Sequence, residues 1–486
     1  MSLLRILTTQ GLLLVLTSLL AIPLVGNGGV RGSLLVATGG HRNFLLEQMD
    51  TLNVLDFGAK GDGHTDDSKA IQNAMKACAL DGRVCFIPKT KAFYLIKSTV
   101  RVPLKRGQFL NIHSNNAIIK PVFPLKNNSL AHLTAFREQT VFSIGPACLG
   151  KTAPSMSDIF DNNGGISVSI SGLTINGAGL PYTAVPTGFN SLICIAMAVS
   201  AEHISISHCD FQSILGFGIM AMGPKEFDAT SNKFNLVGGR GKTPFKFKVD
   251  NDQFGDAMHI SAVKQGGKIS ITSCILQGFV KHGRRSRSGI TFEFSDHASD
   301  VAISNCIISG YAKCVHIEEP AASHFSIVGC TLKDFSYGIA NVEDSGTICK
   351  FTNCNFTISQ NDGQDAAGAS LLGLNNKSDA KLYFYGSTIN FEKDCGAYQS
   401  VAQIRNFDRC VFNVNHLNIF FVASDSLVFN RCTFNGFGGD QKSFYNCCGG
   451  VMHVIIRNSS FRNSGRIFAA QSNVKLQVIN TPSIKL

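Results

Sequence analysis

The sequence predicts an all-β solenoid, with short strands wound into stacked coils behind a capping helix. Three observations predict it. An alternating strand pattern returns seven times from residue 166 onward, a cysteine occupies the same slot in most of those repeats, and a second strand pattern recurs in four successive ones. Spacings in the twenties and thirties fit one coil per repeat. Strands this short cannot bury a face alone, so the core must come from stacking coil on coil.

The chain opens on Arg5, the apolar run GLLLVLTSLLAIPLVG (residues 11 to 26) and then small residues. This reads as a secretory signal over residues 1–26, with cleavage between Gly26 and Gly40. Thr17, Ser18 and Pro23 interrupt the run, which falls short of the roughly 20 apolar residues a spanning helix needs. The expectation is an extracellular protein with no stable membrane anchor.

The solenoid domain is assigned to residues 50–480, with a capping segment over 53–100. That segment begins NVLDFGAKGDGHTDDSKAIQNAMKAC (53 to 78). Thr65 or Asp66 is placed to cap a helix starting near Ser68, and the neighbouring acids suit the positive end of its dipole. Calcium-loop spacing is excluded, because the acids stop at Asp67 rather than alternating through about twelve residues to a Glu. VCFIP (84 to 88) and Tyr94 to Ile96 follow as strands.

The main repeats are VSISGLTI (168–175), ISISHCDF (204–211), ISITSCIL (269–276), VAISNCII (301–308), FSIVGCTL (325–332), LVFNRCTF (427–434) and VIIRNSSF (454–461). One slot holds Leu173, Cys209, Cys274, Cys306, Cys330, Cys354, Cys410, Cys432 and Ser459. Sixteen cysteines in a secreted chain would ordinarily indicate a disulfide framework. Seven of them, however, occupy one inward phase, where a small side chain suits a stacked interior, so these are expected to be free thiols. The other nine can include bridges whose pairing is not readable. Zinc is disfavoured because Cys447 and Cys448 are adjacent and no C-x-x-C pair occurs.

The second strand pattern is DAMHIS (256–261), SGITFEF (288–294), KCVHIEE (313–319) and YGIANVE (337–343), preceded by FGIMAM (217–222). Aligning Met258, Ile290, Val315 and Ile339 inward places His259, Thr291, His316 and Ala340 in one outward column. Ser261, Glu293, Glu318 and Val342 form the next. Asp256, Ser288, Lys313 and Tyr337 lie at the corner. A patch of Asp256, His259, Glu293, Lys313, His316 and Glu318 is therefore expected. Rungs lie about 4.8 Å apart, which couples Glu293 to Glu318. Two such carboxylates are expected to share a proton, one serving as acid and the other as base or nucleophile. His282, Arg284, Arg285 and Arg287 precede this strand, and their guanidinium groups can fork a substrate carboxylate. A charged outward stripe is also what a solvated, self-neutralising face looks like. Convergence of acids, imidazoles and guanidiniums on three consecutive coils favours chemistry. Residues 137–165 and 223–254 read as loops that wall a groove beside the patch, and 361–370 as an insertion.

A formal charge of +11 in an exported chain biases it towards polyanions such as uronic-acid polymers. Nucleic acid is excluded by the export signal and by the lack of basic runs interleaved with aromatics. Asn127, Asn355, Asn376 and Asn458 begin glycosylation triplets.

The capping stretch DFGAKGDGHTDDSKAIQ, followed by VCFIP and the Tyr94 to Ile96 step, resembles the opening of the pectate-lyase-like superfamily, which includes polygalacturonases, rhamnogalacturonases and phage tailspikes. The resemblance covers about 45 residues and implies a single-stranded right-handed parallel β-helix whose first coil these residues cap. Polygalacturonases carry Asn-x-Asp, an Asp pair one coil later, Gly-His-Gly and Arg-x-Lys. Here Asp256 matches the first acid, while Ser288-Gly289, Lys313-Cys314 and GIANVE stand where the others are expected.

The resulting expectation is a monomeric, secreted enzyme that hydrolyses an acidic, pectin-like polysaccharide without a cofactor. Asp256, Glu293, Glu318, His259 and His316 are assigned to catalysis, and Arg284, Arg285, Arg287 and Lys313 to substrate binding. One alternative is a lyase, in which Arg or Lys abstracts a proton and calcium held by the acids stabilises the anion. The other is a glycan-binding or structural β-helix without turnover.

Overall fold

The computed structural model describes residues 50–122, 140–146, 162–180, 194–239, 255–281, 284–293, 295, 297–318, 321–340, 346–358, 370–372, 380–392, 398–400, 404–414, 420–423, 426–436, 442–446, 451–465, 468–469 and 473–484. The leader over 1–26, Asn127, Asn376, His282, Asn341, Val342, loop residues 137–139, 147–161, 240–254 and 361–369, and Cys148, Cys395, Cys447 and Cys448 lie outside them, whereas Thr140–Pro146, Glu226–Thr230 and Lys233–Val237, expected as loop, are strands of the coils. No described helix is long and apolar enough to cross a membrane.

The cap helix spans Ser68–Asp81 and buries Ile71, Ala74, Met75, Cys78 and Ala79, a three-to-four spacing that makes one apolar stripe. It stops at Gly82, whose left-handed φ of 71° lets its N–H reach the Cys78 carbonyl at 2.9 Å. The acidic loop before it is fully occupied with its own backbone. Asp66 Oδ1 accepts the Ser68 N–H at 3.0 Å from the position before the N-cap, while the N-cap residue itself, Asp67, makes no side-chain capping bond. Asp67 turns back to accept the N–H groups of Lys60 and Gly61. Asp62 accepts the N–H groups of Thr65 and His64, which hold its carboxyl down at about 2. These acids fold the cap, and the chemistry lies elsewhere.

Beyond the cap, the chain winds as a right-handed parallel β-helix with three long sheets. The long sheet has 15 strands from Thr51–Asn53 to Val474–Ile479, and the middle sheet 13 from Tyr94–Ile96 to Ser460–Arg462. The third, here termed the site sheet, has 10 strands. Its main path runs from Val100–Leu104 to Ser370–Leu372, and a four-stranded sheet comprises Tyr398–Ser400, Phe420–Ala423, Lys442–Asn446 and Phe468–Ala469. Described ladders are parallel apart from Val280–Lys281, which pairs antiparallel with the start of Arg284–Glu293. Parallel strands in successive coils put identical phases in register, so each inward position becomes a column of like residues. Phe351, Phe384, Phe407 and Phe429 stack in one such column at 4.7, 5.0 and 5.2 Å between centroids. Phe412, Phe434 and Phe461 stack in another.

The cysteine slot has a backbone cause. The residue before it is left-handed in coil after coil, as at His208, Ser273, Asn305, Asn353, Arg409 and Arg431. That turn aims a polar main chain at the interior, where every donor and acceptor needs a partner. A thiol supplies one without much bulk. Cys306 Sγ donates to the Ile271 carbonyl at 3.6 Å, and Cys330 Sγ donates to Ile303 while accepting the Cys306 N–H at 3.4 Å. Where the slot lacks cysteine, oxygen and amide groups do the same work. Asn232 Oδ1 accepts the Cys209 N–H, Ser387 Oγ that of Cys354, and Ser459 Oγ that of Cys432. Asn232 and Ser387 are members of the slot that the hydrophobic pattern alone did not reveal.

All seven slot cysteines are buried free thiols, and so are Cys78, Cys85, Cys194, Cys314 and Cys349 from the group left open for bridging. Reaction requires access as well as a thiolate. Alkylation of the folded protein, mapped by mass spectrometry, is therefore expected to leave these twelve unmodified until denaturant is added. Labelling of the slot cysteines in the native state would contradict their burial.

Candidate active site

Four strands of the site sheet build the patch: Asp256–Ser261, Arg284–Glu293, Tyr311–Glu318 and Tyr337–Ala340. Their register pairs Met258 with Ile290, Val315 and Ile339, His259 with Thr291, His316 and Ala340, and Ser261 with Glu293 and Glu318. Asp256, Ser288, Lys313 and Tyr337 are likewise aligned at the corner. This is the stacking expected from alternation. Gly255 and Gly216 allow it locally, since a Cβ on Gly255 would lie 2.5 Å from the Gly216 Cα and its φ of 141° disfavours other residues.

Burial departs from the expectation of an open outward stripe. Asp256 and His316 are fully buried, and His259 and Glu293 nearly so, whereas outward residues of the long sheet such as Lys268 and Asp300 are exposed. Only Glu318 opens substantially, with 33% of its side chain accessible.

Within this enclosure the charges are matched pair by pair. Arg287 Nη1 donates to both oxygens of Asp256, at 2.7 and 2.9 Å, and its Nη2 reaches Glu293 Oε1 at 3.4 Å. His259 Nδ1 lies 3.0 Å from Asp256 Oδ2, its Nε2 faces Glu293 Oε2 at 3.9 Å, and its ring meets Phe217 edge-on. His316 Nε2 lies between Glu318 Oε2, at 2.7 Å, and Glu293 Oε1, at 3.3 Å. Among the described residues the buried His316 Nδ1 has no hydrogen-bond partner. A proton there would be a stranded donor, so the ring carries its proton on Nε2 and offers it to the two glutamates.

In this arrangement neither glutamate is shifted towards keeping its proton, as a bare pair of neighbouring carboxylates would be. Glu293 is pushed well below the usual carboxylate range: burial opposes ionisation, but the His259 charge, the His316 hydrogen bond and the Arg287 charge outweigh it. The His316 hydrogen bond likewise lowers Glu318. Asp256 is lowered too, because Arg287 and His259 overcome its burial. All three acids are shifted towards the ionised form, because cations and imidazole groups stand between them. His259 moves the other way. Burial disfavours its charge, yet the Asp256 hydrogen bond and the Glu293 and Asp256 charges raise it above 6.5.

A stability profile follows from these directions. The three depressed acids contribute stability above their unfolded values, near 4, and lose it as pH falls through their folded values. His259 contributes fully below its unfolded value and loses that contribution as pH rises through its raised folded value. The stability difference between wild type and His259→Gln is therefore expected to shrink from pH 6 towards alkaline pH. A difference that grows with pH would contradict an imidazolium at this position.

The basic residues divide. Arg287 is committed to Asp256 and Glu293 rather than presented to solvent, which corrects its assignment as a substrate fork. Arg285 is also nearly buried and its Nε donates to the Asp334 carbonyl at 2.8 Å. It braces a neighbouring coil, a second correction. Lys313 is half-buried and acts electrostatically on Glu318. The backbone of Arg284 pairs with Lys281, and its side chain lies outside the described atoms. Arg287 escaped notice as a cluster member because the strand begins earlier than its apolar alternation shows. In Arg284–Glu293, residues 287, 291 and 293 share one outward phase.

Glu293, His316 and Glu318 bring possible metal-ligand atoms within 4.8 Å of one another. They fit calcium poorly, as that ion takes six to eight oxygens. Arg287 and His259 also already neutralise Glu293, so a further cation would meet their repulsion.

Residues 51–118 match the family described as rhamnogalacturonase A/epimerase, pectate lyase-like, which upholds the superfamily resemblance of the cap. A 54-residue stretch, 11% of the chain, is 50% identical to polygalacturonase ADPG1 of Arabidopsis thaliana and spans 12% of that relative's length. Among solved structures, the chain resembles the surface adhesin PfbA of Streptococcus pneumoniae (17% identity, TM-score 0.46, covering 89% of this chain and 97% of that one). It also resembles the family 28 exopolygalacturonase of Yersinia enterocolitica (12% identity, TM-score 0.41, covering 90% and 79%).

Proposed function

We propose that the protein is a secreted, polysaccharide-active enzyme that hydrolyses glycosidic bonds of an acidic, uronic-acid polymer at the site sheet. The observation that supports this best is a single half-open carboxylate, Glu318, backed at 2.7 Å by the buried imidazole of His316. Hydrolysis takes a proton from the attacking water and delivers one to the leaving oxygen. The ionised Glu318 takes the proton from the attacking water and, once protonated, gives that proton to the leaving oxygen, while the buried His316 behind it holds the carboxylate in place. Glu293, itself held by Arg287 and facing His259, fixes the position of His316. Lys313, beside Glu318, and the basic charge of the chain suit an anionic polymer.

Burial and engagement of Arg285 and Arg287 remove two of the bases an elimination could use, and Lys313, beside Glu318, is the base that a lyase would have to employ. The test is incubation with polygalacturonate and alginate, reading reducing ends and ultraviolet absorbance together. Reducing ends without absorbance are expected. Absorbing, unsaturated products would overturn hydrolysis in favour of a lyase, and a folded protein silent on both polymers would overturn the substrate class.

A further inference from the structure

A groove of about 610 Å³ lies on the outer face of the long sheet, a different sheet from the acid and imidazole cluster. Its floor is one register column, Ser270, Ala302 and Ser326, which are short side chains on three successive coils. That column continues into Lys350 and then Tyr383, whose ring stacks on Tyr385 with an interplanar angle of 8°. The rim is the adjacent column, in which Lys268, Asp300 and His324 are exposed and Lys381 follows after Ile348.

We propose that this groove is a second, non-catalytic binding site for an acidic polysaccharide chain lying along the solenoid axis. Rungs repeat every ~4.8 Å, close to the advance of one sugar unit in an extended chain, so a glycan laid along the axis meets the same column at each unit. Ser270 and Ser326 offer hydroxyls that can both donate and accept, matching sugar hydroxyls. Among the residues lining the groove, Lys268 and Lys350 stand against Asp300, which already faces His324 at 3.6 Å; Lys381 extends the rim on one side, and Glu226 and Asp228 close its other end beside Lys268 and Ser270. Mobile ammonium groups suit carboxylates carried at intervals along a polymer. The Tyr383 and Tyr385 rings offer an apolar platform for a sugar face at the end of the run. Asp300 is the one acid among the described lining residues, so the groove is assigned to binding rather than turnover. The choice of an acidic polymer shares the substrate class of the proposed function, while the groove itself does not depend on it.

The test is retardation of the full-length protein in gels containing polygalacturonate. Wild type and Glu318→Gln are expected to be retarded equally, with retardation fading as salt rises. Lys268→Glu/Lys350→Glu is expected to weaken binding about tenfold or more, while its hydrolysis of a short soluble oligogalacturonide stays at the wild-type rate. Ala302→Asp, which adds a charge to the exposed floor with little volume, should weaken retention in the same direction. Undiminished retention of the double variant would overturn the groove. So would a wild type that cleaves the oligomer but is not retarded, an outcome that leaves the proposed function standing. A chain without activity whose retention is lost on reversing Lys268 and Lys350 would sustain the groove and defeat the catalytic reading.

Discussion

Glu318→Gln is expected to lower turnover of an acidic polymer by roughly 10²- to 10⁴-fold, the range of a positioned proton-transfer group. The substitution keeps the size of the side chain and leaves its neighbours packed. It removes only the charge and basicity of the cluster's one substantially exposed carboxylate. Because Glu318 is half-exposed, the loss of its pairing with His316 should cost little stability, and the Tm should stay near that of wild type. A variant that retains full turnover would place the chemistry elsewhere. One that unfolds would show that Glu318 belongs to the scaffold. Glu293→Gln should instead lose both activity and stability, since its carboxylate is nearly buried and partnered by Arg287 and His316.

Arg287→Met is expected to be among the most destabilising single changes in the molecule, costing about 3–5 kcal/mol. It would leave Asp256, fully buried, with His259 as its remaining described cationic partner. The double change Asp256→Asn/Arg287→Met removes the stranded charge together with its partner, and should recover a large part of that loss. Urea unfolding of the two single variants and the double variant measures the coupling. Additive losses would mean that the pair, despite its 2.7 Å contact, does not act as a unit.

The columns of this solenoid were legible because a period of two and a stacked register admit one solution once the apolar residues point inward. Met258, Ile290, Val315 and Ile339 therefore fix where His259, His316, Glu293 and Glu318 stand. The cysteine slot was legible for the same reason, although Asn232 and Ser387 were hidden because their role is to satisfy backbone groups rather than to add apolar surface. Protonation was not legible. It depends on Arg287 and His316 standing between the carboxylates, and alternation fixes the face a residue occupies but not which neighbour its side chain reaches. Burial of the outward face was equally hidden, because strand periodicity contains no information about what covers a sheet.

The most direct measurement is the crystal structure of Glu318→Gln with a bound oligogalacturonide. The proposed function predicts a glycosidic oxygen, or the water poised to attack beside it, within about 2.6–3.2 Å of the residue 318 side chain, with the chain running across the site sheet. An oligosaccharide bound only elsewhere, with the site sheet bare and His316 still sealed behind residue 318, would contradict catalysis there and leave the cluster as a buried charge network that holds three coils together.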